Sequence, residues 1–419
     1  MSRSPLLIIF LVVFIDLLGF GIVLPLLPRY GKHFDAAEWQ LGLLMASFSA
    51  MQFLFAPVWG RLSDHFGRRP VLLVGLLGST LSYAAFGWIT QLGNAGLILG
   101  LTPLTWLFVS RIAAGIAGAT IPTAQAYIAD STDSKSRGKG MALIGAAFGI
   151  GFTFGPILGA QFVAATTDAA PSPAPGYVAA ALSGMAFLAA IGMLPESLRP
   201  GADPARKRHW FDVASFSAAV SRPYIGWLFA TIFLTTFAFA QFESTLSLLT
   251  ERLGLGDRDN FYVFAYIGLI LTLSQGFLVR RFLPKLGEFR MGMIGVVLMT
   301  AGLALIGVSS GQSSLAVFYA VLPITVIGFS ATTPSLQALL SLNTAEDEQG
   351  GILGVGQSMS SLARILGPVV GLSLMGIEGA SPALPYWAAA GVMGVCILLV
   401  MGLRGSVSSR HASTGGQEK

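Results

Sequence analysis

Four ionisable residues interrupt long apolar stretches of this sequence, where a charge is costly unless it serves a function. They are Asp16, Arg111, Glu243 and Arg364. An apolar medium favours the neutral form of a carboxyl group, whereas a nearby guanidinium favours the carboxylate. A conformational change that separates Asp16 from Arg111 would therefore capture or release a proton, which makes this pair a candidate for proton coupling. A static structural ion pair is the alternative.

Two of these residues lie in the second half of the chain. Glu243 occurs in "FAFAQFESTLSLL", among aromatic and hydroxyl side chains. We expect Glu243 to carry a proton or to bind a cationic compound, unless it lies at the water boundary of its helix. Arg364 has no evident partner in the sequence, so binding an anionic substrate group and pairing with a backbone carbonyl remain equally open.

A third group of charges lies in the stretch "GRLSDHFGRRP", which begins at Gly60 between two apolar runs. Gly60 would let another helix approach closely, and Asp64 can accept hydrogen bonds from a helix N-terminus. Arg68 or Arg69 can reach a carboxylate on a neighbouring helix end, for which Asp130 is the natural candidate. We expect a conformational latch here; the alternative is that the arginines only fix membrane topology.

The composition is that of a membrane protein. Of 419 residues, 54% are hydrophobic and 11% charged, against about 25% charged in soluble domains. Many apolar runs reach the 18 or more residues that a helix needs to cross a hydrocarbon core of about 30 Å. We predict an all-α membrane protein with twelve transmembrane helices. These lie near residues 5–28, 39–61, 70–90, 102–127, 139–163, 176–195, 223–249, 260–281, 289–309, 314–342, 350–376 and 383–404.

The distribution of Lys and Arg predicts the orientation. If the N-terminus is cytoplasmic, nineteen of the 25 basic residues fall on the inner side. Only Arg29, Lys32, Arg252 and Arg258 fall on the outer side. The positive-inside rule therefore places both termini in the cytoplasm. Because topology accounts for the net charge of +5, no nucleic-acid partner is expected.

The two halves of the chain resemble each other. "GATIPTAQAYIADST" at 118–132 aligns with "SATTPSLQALLSLNT" at 330–344, and such repeats place the binding site of many transporters between the halves. The predicted domains are an N-terminal six-helix half (1–198), a cytoplasmic linker (199–222), a C-terminal six-helix half (223–404) and a disordered cytoplasmic tail (405–419).

The loop pattern G-x-L-x-D-x-x-G-R-R resembles the signature loop of the major facilitator superfamily. "DLLGFGIVLPLLP" (16–28), "RIAAGIAGAT" (111–120) and "GIGFTFGPILGA" (149–160) resemble its drug/proton antiporter branch, and "APVWGRLSDHFGRRPVLL" its tetracycline-efflux-like group. The resemblance implies two pseudo-symmetric six-helix bundles and export by alternating access. It also implies a latch formed by Gly60, Asp64, Gly67, Arg68, Arg69 and Asp130.

The chain departs from that group at three positions. Ser82, Leu271 and Met299 stand where tetracycline exporters commonly carry an acid, a histidine and an acid. The resemblance therefore implies efflux without implying tetracycline as the substrate.

Small residues and prolines recur in the fifth and eleventh predicted helices. They are Gly151, Gly155, Pro156, Gly159, Gly367 and Pro368. Glycines four residues apart form a smooth face for close helix contact, and proline bends a helix. We expect this face to seal helix five against the other half and so prevent a proton leak; simple packing is the alternative.

Polar side chains within the spans are candidates for the substrate cavity, because an amide in a membrane needs an internal partner. The candidates are Gln52, Gln125, Gln241, Gln337 and Gln357, together with Arg364 and Phe242.

We predict a proton-coupled exporter of small apolar or amphipathic compounds, with protons, a small-molecule substrate and the lipid bilayer as its partners. It would be a monomer in a bacterial inner membrane. Transport of a native metabolite such as a sugar or siderophore, or of a lipid, is the alternative. A receptor that transports nothing is disfavoured by the short tails. The residue set favours no enzyme, metal site or cofactor.

Overall fold

The computed structural model of the chain describes residues 5–93, 96–97, 99–132, 137–165, 170–198, 223–310, 314–344 and 349–414. The linker predicted at 199–222 lies outside the described residues, and so do 415–419 at the end of the predicted tail. Within the described part, the regular elements are helices, six on each side of the linker.

We number these helices α1 to α12 in chain order. The first six are α1 (Pro5–Val23, a 3-10 turn Leu24–Leu26 and Leu27–His33), α2 (Glu38–Phe66), α3 (Arg68–Leu92), α4 (Pro103–Ala117 and Ile121–Asp130), α5 (Arg137–Gly159 and a 3-10 turn Ala160–Phe162) and α6 (Ala174–Met193). The second six are α7 (Pro223–Arg252), α8 (Asp257–Leu273, a π-helical turn Ser274–Val279 and Arg280–Leu286), α9 (Glu288–Ser309), α10 (Leu315–Leu342), α11 (Gln349–Met375) and α12 (Leu384–Thr414).

The predicted all-α membrane architecture is confirmed. Among the described residues, 11 helices are long and apolar enough to cross a membrane, and α5 supplies a shorter apolar helix, Ala146–Phe162. The helix ends agree with the predicted spans to within a few residues for most helices. The last helix differs more, because α12 continues to Thr414, ten residues beyond the predicted end of the span.

One-residue joints connect corresponding helix pairs in the two halves. Gly67 joins α2 to α3 with φ +103°, and Gly287 joins α8 to α9 with φ +77°. L side chains rarely adopt this backbone conformation, so glycine is the residue that permits a sharp turn between two long helices. The internal repeat seen in the sequence thus extends to backbone geometry.

The chain forms two compact units. Unit 1 contains Met1–Trp210 and Leu246–Thr272, and unit 2 contains Phe211–Thr245 and Leu273–Lys419. In unit 1, α1 packs on α5 and α6, while α4 packs on α2 and α3. In unit 2, α9 packs on α10 and α12. The units depart from the predicted halves mainly in segment 246–272, which belongs to α7 and α8 but packs in unit 1.

The glycine faces of α5 and α11 each lie against the first helix of their own half. A Cβ atom at Gly155 would lie 2.9 Å from the carbonyl oxygen of Leu18 and 3.0 Å from the Cα of Gly21 in α1. A Cβ at Gly367 would lie 2.8 Å from the Cβ of Ala240 in α7. The expectation that this face seals α5 against the other half is therefore corrected for Gly155, which packs within its own half.

The other members of these two groups have different neighbours. Gly151 also packs on α1, at Leu17, whereas Gly159 faces the Phe261 ring of α8, in the second half of the sequence. Pro156 and Pro368 lie inside α5 and α11. Gly159 therefore has the neighbour that the sealing hypothesis requires, whereas Gly151 and Gly155 pack on α1.

The close contact of α1 with α5 yields a stability prediction. We expect Gly155→Ala to lower stability by about 1–3 kcal/mol, the usual cost of overpacking, because backbone atoms of α1 cannot rotate away from the new methyl group. Gly394→Ala in α12 is the control, since a Cβ there meets nothing within 4 Å, and we expect little change or a slight gain. Thermal unfolding of both variants in one detergent measures the difference, and equal midpoints would contradict the prediction.

Candidate functional site

Arg68 lies at the centre of a charged cluster at one end of unit 1. Its Nη1 contacts Asp64 Oδ1 and donates to Ser63 Oγ at 2.8 Å, and its Nε donates to Asp130 Oδ2 at 3.0 Å. The Arg68 side chain is 9% exposed, whereas those of Asp64 and Asp130 are 40% and 27% exposed. One buried guanidinium therefore joins the end of α2, the start of α3 and the end of α4.

Glu196, which follows α6, completes this cluster. Its Oε1 accepts the backbone N–H of Arg68 at 2.8 Å, and its Oε2 accepts that of Arg69 at 3.1 Å. A carboxylate in this position caps the N-terminus of α3 and meets the positive end of the helix dipole. Ser197 Oγ donates to Asp130 Oδ2 at 3.2 Å. We call Ser63, Asp64, Arg68, Asp130, Glu196 and Ser197 the loop cluster.

The remaining residues of the predicted latch have other surroundings. A Cβ at Gly67 would contact the Glu196 carboxylate, so glycine also makes room for the cap. Arg69 donates its Nη2 to the Ile191 carbonyl at 2.6 Å and binds no carboxylate of the loop cluster through its side chain. No described atom lies within 4 Å of a Cβ built at Gly60, so the close helix approach expected there is not present in the described part of the chain.

Asp16 in α1 is bound by hydroxyl groups. Ser183 Oγ of α6 donates to Asp16 Oδ1 at 2.9 Å, and the Ser79 side chain of α3 also hydrogen-bonds to this carboxyl group. No ion pair within 4.0 Å joins Asp16 to Arg111 among the described residues. Tyr83 interacts electrostatically with both. The predicted partners thus lie in one region of unit 1 without contacting each other.

Arg111 in α4 is 2% exposed, and its Nε and Nη1 atoms have no hydrogen-bond partner in the described part of the chain. Its guanidinium carbon lies 4.6 Å from the centroid of the Phe48 ring. A guanidinium over an aromatic face gains a cation–π interaction, but the two nitrogen atoms still lack acceptors.

In unit 2, Glu243 and Arg364 interact electrostatically. The sequence had offered no partner for Arg364, and the structure supplies Glu243 from α7. Two aromatic residues, Phe239 and Phe242, lie close to Glu243 along the chain, with ring centroids 5.7 Å apart. Phe239 also stacks on Phe329 with ring centroids 3.8 Å apart. Unit 2 therefore contains a carboxyl group, a guanidinium cation and stacked aromatic rings.

The predicted cavity side chains divide into two groups. Gln241 and Phe242 are each 1% exposed, and Gln241 donates its amide to the Pro385 carbonyl at 2.8 Å, so both lie in helix packing. Gln52 donates to the Gly118 carbonyl at 3.2 Å, where α4 is interrupted. The remaining glutamines leave more of their surface accessible: Gln125 and Gln357 are exposed and Gln337 is half-buried.

A second polar cluster lies at the other end of unit 1, on the predicted outer side. Arg29 of α1 donates to Asp257 Oδ1 at 3.0 Å, to Thr250 Oγ1 at 2.9 Å and to the Ser247 carbonyl at 3.2 Å. Asn260 donates to the Pro25 carbonyl at 3.1 Å. We call Pro25, Arg29, Ser247, Thr250, Asp257 and Asn260 the outer cluster; it ties the end of α1 to segment 246–272.

Two further contacts surround the outer cluster. Lys32 pairs with Glu251 at 3.1 Å, and Arg258 donates to the Val163 carbonyl at 3.1 Å. Sequence analysis had interpreted Arg29, Lys32 and Arg258 only as markers of topology. The available signal was that Arg252 and Arg258, two of the four basic residues of this side, occur beside Glu251, Asp257 and Asp259.

Comparison with known proteins identifies the family. Residues 9–368 match the Major Facilitator Superfamily. The chain belongs to this superfamily. Major facilitators carry small molecules across membranes, so the protein is an integral multi-pass membrane transporter and not an enzyme.

Three similar major facilitators indicate the range of the family. The chain is 32% identical to the tetracycline resistance protein, class C, of Escherichia coli over 99% of this chain and 100% of that protein. It is 30% identical to multidrug resistance protein 2 of Bacillus subtilis, with 86% of each chain covered. Among solved structures, the human organic anion transporter MFSD10 superposes with a TM-score of 0.69 and 27% identity over 95% of this chain and 99% of that one. The bacterial relatives place the chain in a bacterial inner membrane.

Proposed function

We propose that this major facilitator is a proton-coupled exporter of small apolar or amphipathic compounds, working as a monomer with both termini in the cytoplasm. The observation that carries the proposal is the environment of Asp16, an acid inside α1 whose hydrogen-bond partners are the hydroxyls of Ser79 and Ser183. A serine hydroxyl can donate to a carboxylate or accept from a carboxylic acid. Asp16 can therefore keep its partners in either protonation state, as a proton carrier must.

Glu243 is the second proposed proton carrier. Its interaction with Arg364 lies within one unit, so a compound that approaches either side chain would change the balance between the two charges. Such a change is one way to couple substrate binding in unit 2 to the gain or loss of a proton.

The similarity to a tetracycline resistance protein and to a multidrug resistance protein supports efflux as the direction of transport. The substitutions Ser82, Leu271 and Met299 favour compounds other than tetracycline, because these side chains cannot supply the two acids and the histidine of the tetracycline exporters. The MFSD10 structure, described as that of an organic anion transporter, adds anions to the compounds worth testing.

Proton-coupled export is tested in inverted membrane vesicles with an acid interior and a pH-sensitive dye. We expect at least one compound, in a panel that includes tetracycline with magnesium and organic anions, to dissipate the gradient in the wild type. We expect Asp16→Asn or Glu243→Gln to remove most of this response, because an amide cannot exchange the proton.

Asp35→Asn is the matched control for the vesicle experiment. Asp35 is an exposed carboxylate outside the helices with φ 58°, a backbone conformation that asparagine also tolerates. We expect this variant to behave as the wild type. A correctly inserted protein that responds to no compound would refute drug export and leave a native metabolite or a lipid as the substrate class.

A further inference from the structure

The environment of Arg111 indicates that its counter-ion comes from outside the chain. The side chain is 2% exposed, and its Nε and Nη1 atoms have no acceptor among the described residues. A guanidinium carries five N–H donors and stays charged in proteins. A buried charge with unpaired donors is costly and marks a functional site in a membrane protein.

Asp16, the carboxylate that the sequence predicts as the partner of Arg111, is already engaged. The Asp16 carboxyl group is bound by the hydroxyls of Ser183 and Ser79, and the described ion pairs include none with Arg111. Tyr83, which interacts electrostatically with Arg111, is a neutral phenol and supplies no counter-charge. An anion that enters unit 1 would find donors that no protein carboxylate occupies.

An aromatic surface adjoins these donors. Phe48 of α2, over which Arg111 lies, stacks on Phe20 of α1 with ring centroids 4.9 Å apart and planes inclined by 29°. Phe152 of α5 meets Phe20 edge-on at 5.8 Å. Phe20 and Phe152 are only half-buried, so part of their ring surface is accessible. We call Phe20, Phe48 and Phe152 the aromatic platform.

The unpaired guanidinium and the ring surface together favour a ligand that has two features, an anionic group and an aromatic ring. A carboxylate or sulfonate accepts charge-assisted hydrogen bonds from a guanidinium. A planar aromatic ring gains contact area and a favourable quadrupole interaction on phenylalanine rings. Aromatic cations lack the anionic group, and small inorganic anions lack the aromatic ring.

We propose that Arg111 and the aromatic platform form a binding site for amphipathic aromatic anions, and that such anions are the substrate class of this transporter. The proposal rests on the proposed function, transport of small amphipathic compounds. It adds the charge of the substrate and the residues that recognise this charge.

The test uses three probes that share one ring system and differ in charge: 2-naphthoate, 2-naphthamide and 2-naphthylmethylammonium. Binding to the purified full chain in lipid nanodiscs is measured by titration calorimetry at neutral pH without a proton gradient. We expect the wild type to bind the carboxylate at least about tenfold more tightly than the amide, in line with a charge-assisted hydrogen bond. Arg111→Gln should abolish this preference and leave the affinity for the amide within about threefold.

Three variants control the result. Lys32→Gln removes an exposed cation that lies outside the aromatic platform and should retain the preference for the carboxylate. Arg111→Lys keeps the charge without the planar fork and should retain part of the preference. Phe20→Leu removes ring surface and should weaken all three probes to a similar extent.

Several outcomes would overturn the proposal. Equal wild-type affinity for the carboxylate and the amide would do so without any variant, and so would no binding of any probe up to about 1 mM. An equal loss of affinity for all three probes in Arg111→Gln would show that Arg111 has a structural role instead of recognising the anion. If Arg111→Gln does not fold, the proposal is tested by the wild-type affinities for the carboxylate and the amide and by the same two affinities in Arg111→Lys. Because these measurements use no gradient, failure of proton-coupled export in vesicles would leave them unaffected.

Discussion

Arg68→Gln is expected to lower the stability of the protein by about 2–3 kcal/mol and to remove most transport. The change leaves Asp64 and Asp130 without their shared cation, and breaking a buried pair costs about 3–5 kcal/mol. We expect a smaller loss because these two carboxylates are 40% and 27% exposed and keep part of their hydration. The stability loss is measured by thermal unfolding in detergent, and the transport loss by the vesicle assay.

The neighbouring arginine provides a matched control. Arg69→Gln removes the same charge one residue away, but Arg69 donates its side chain to a backbone carbonyl instead of a carboxylate. We expect stability and transport close to those of the wild type. Adding Asp130→Asn to Arg68→Gln should recover part of the lost stability, because one unpaired carboxylate is removed. Equal effects of Arg68→Gln and Arg69→Gln would contradict a specific role for the loop cluster.

Arg29→Gln is expected to open the predicted outer end of unit 1. The Arg29 and Asp257 side chains are 7% and 18% exposed, and the guanidinium also holds Thr250 and the Ser247 carbonyl. Losing these contacts should favour states in which segment 246–272 has separated from α1. A shift of about 1.4 kcal/mol would raise the population of the open states about tenfold.

Cysteine reactivity measures this opening. Leu246 is 0% exposed, so Leu246→Cys should react slowly with a membrane-impermeant maleimide in the parent chain and about tenfold faster in Arg29→Gln. The natural Cys396 is also 0% exposed and should contribute little background. Lys32→Gln is the control, since the Lys32 side chain is 55% exposed and that of its partner Glu251 32% exposed, and ion pairs of largely hydrated groups contribute little. Equal reactivity of the two variants would contradict the prediction that the Arg29 contacts hold segment 246–272 against α1.

The sequence predicted the fold well because each span is predominantly apolar. Helix length and hydropathy decide where α1 to α12 lie, and neither depends on distant contacts. The end of α12 was less predictable, since residues beyond 404 are polar and their helical conformation has no hydropathy signal.

The candidate site was predictable where one short motif carries it. Asp64 and Arg68 lie four residues apart on either side of the Gly67 turn, so a short stretch of chain brings them into contact. The hydroxyl partners of Asp16 were not predictable in this way, because serines are common in these spans and Ser183 is 167 residues from Asp16 in the chain. The outer cluster was missed for the same reason, with Arg29 and Asp257 separated by 228 residues.

The Glu196 cap also holds the two residues that follow it in the chain. The same carboxylate accepts the N–H groups of Ser197 and Leu198 at 2.9 and 3.0 Å, so the chain is anchored at the start of α3 as far as Leu198. A protein tag, protease site or chain break meant to leave the loop cluster intact therefore belongs beyond Leu198. For engineering, the contacts of this one carboxylate identify Leu198 as the last residue that such changes should leave in place.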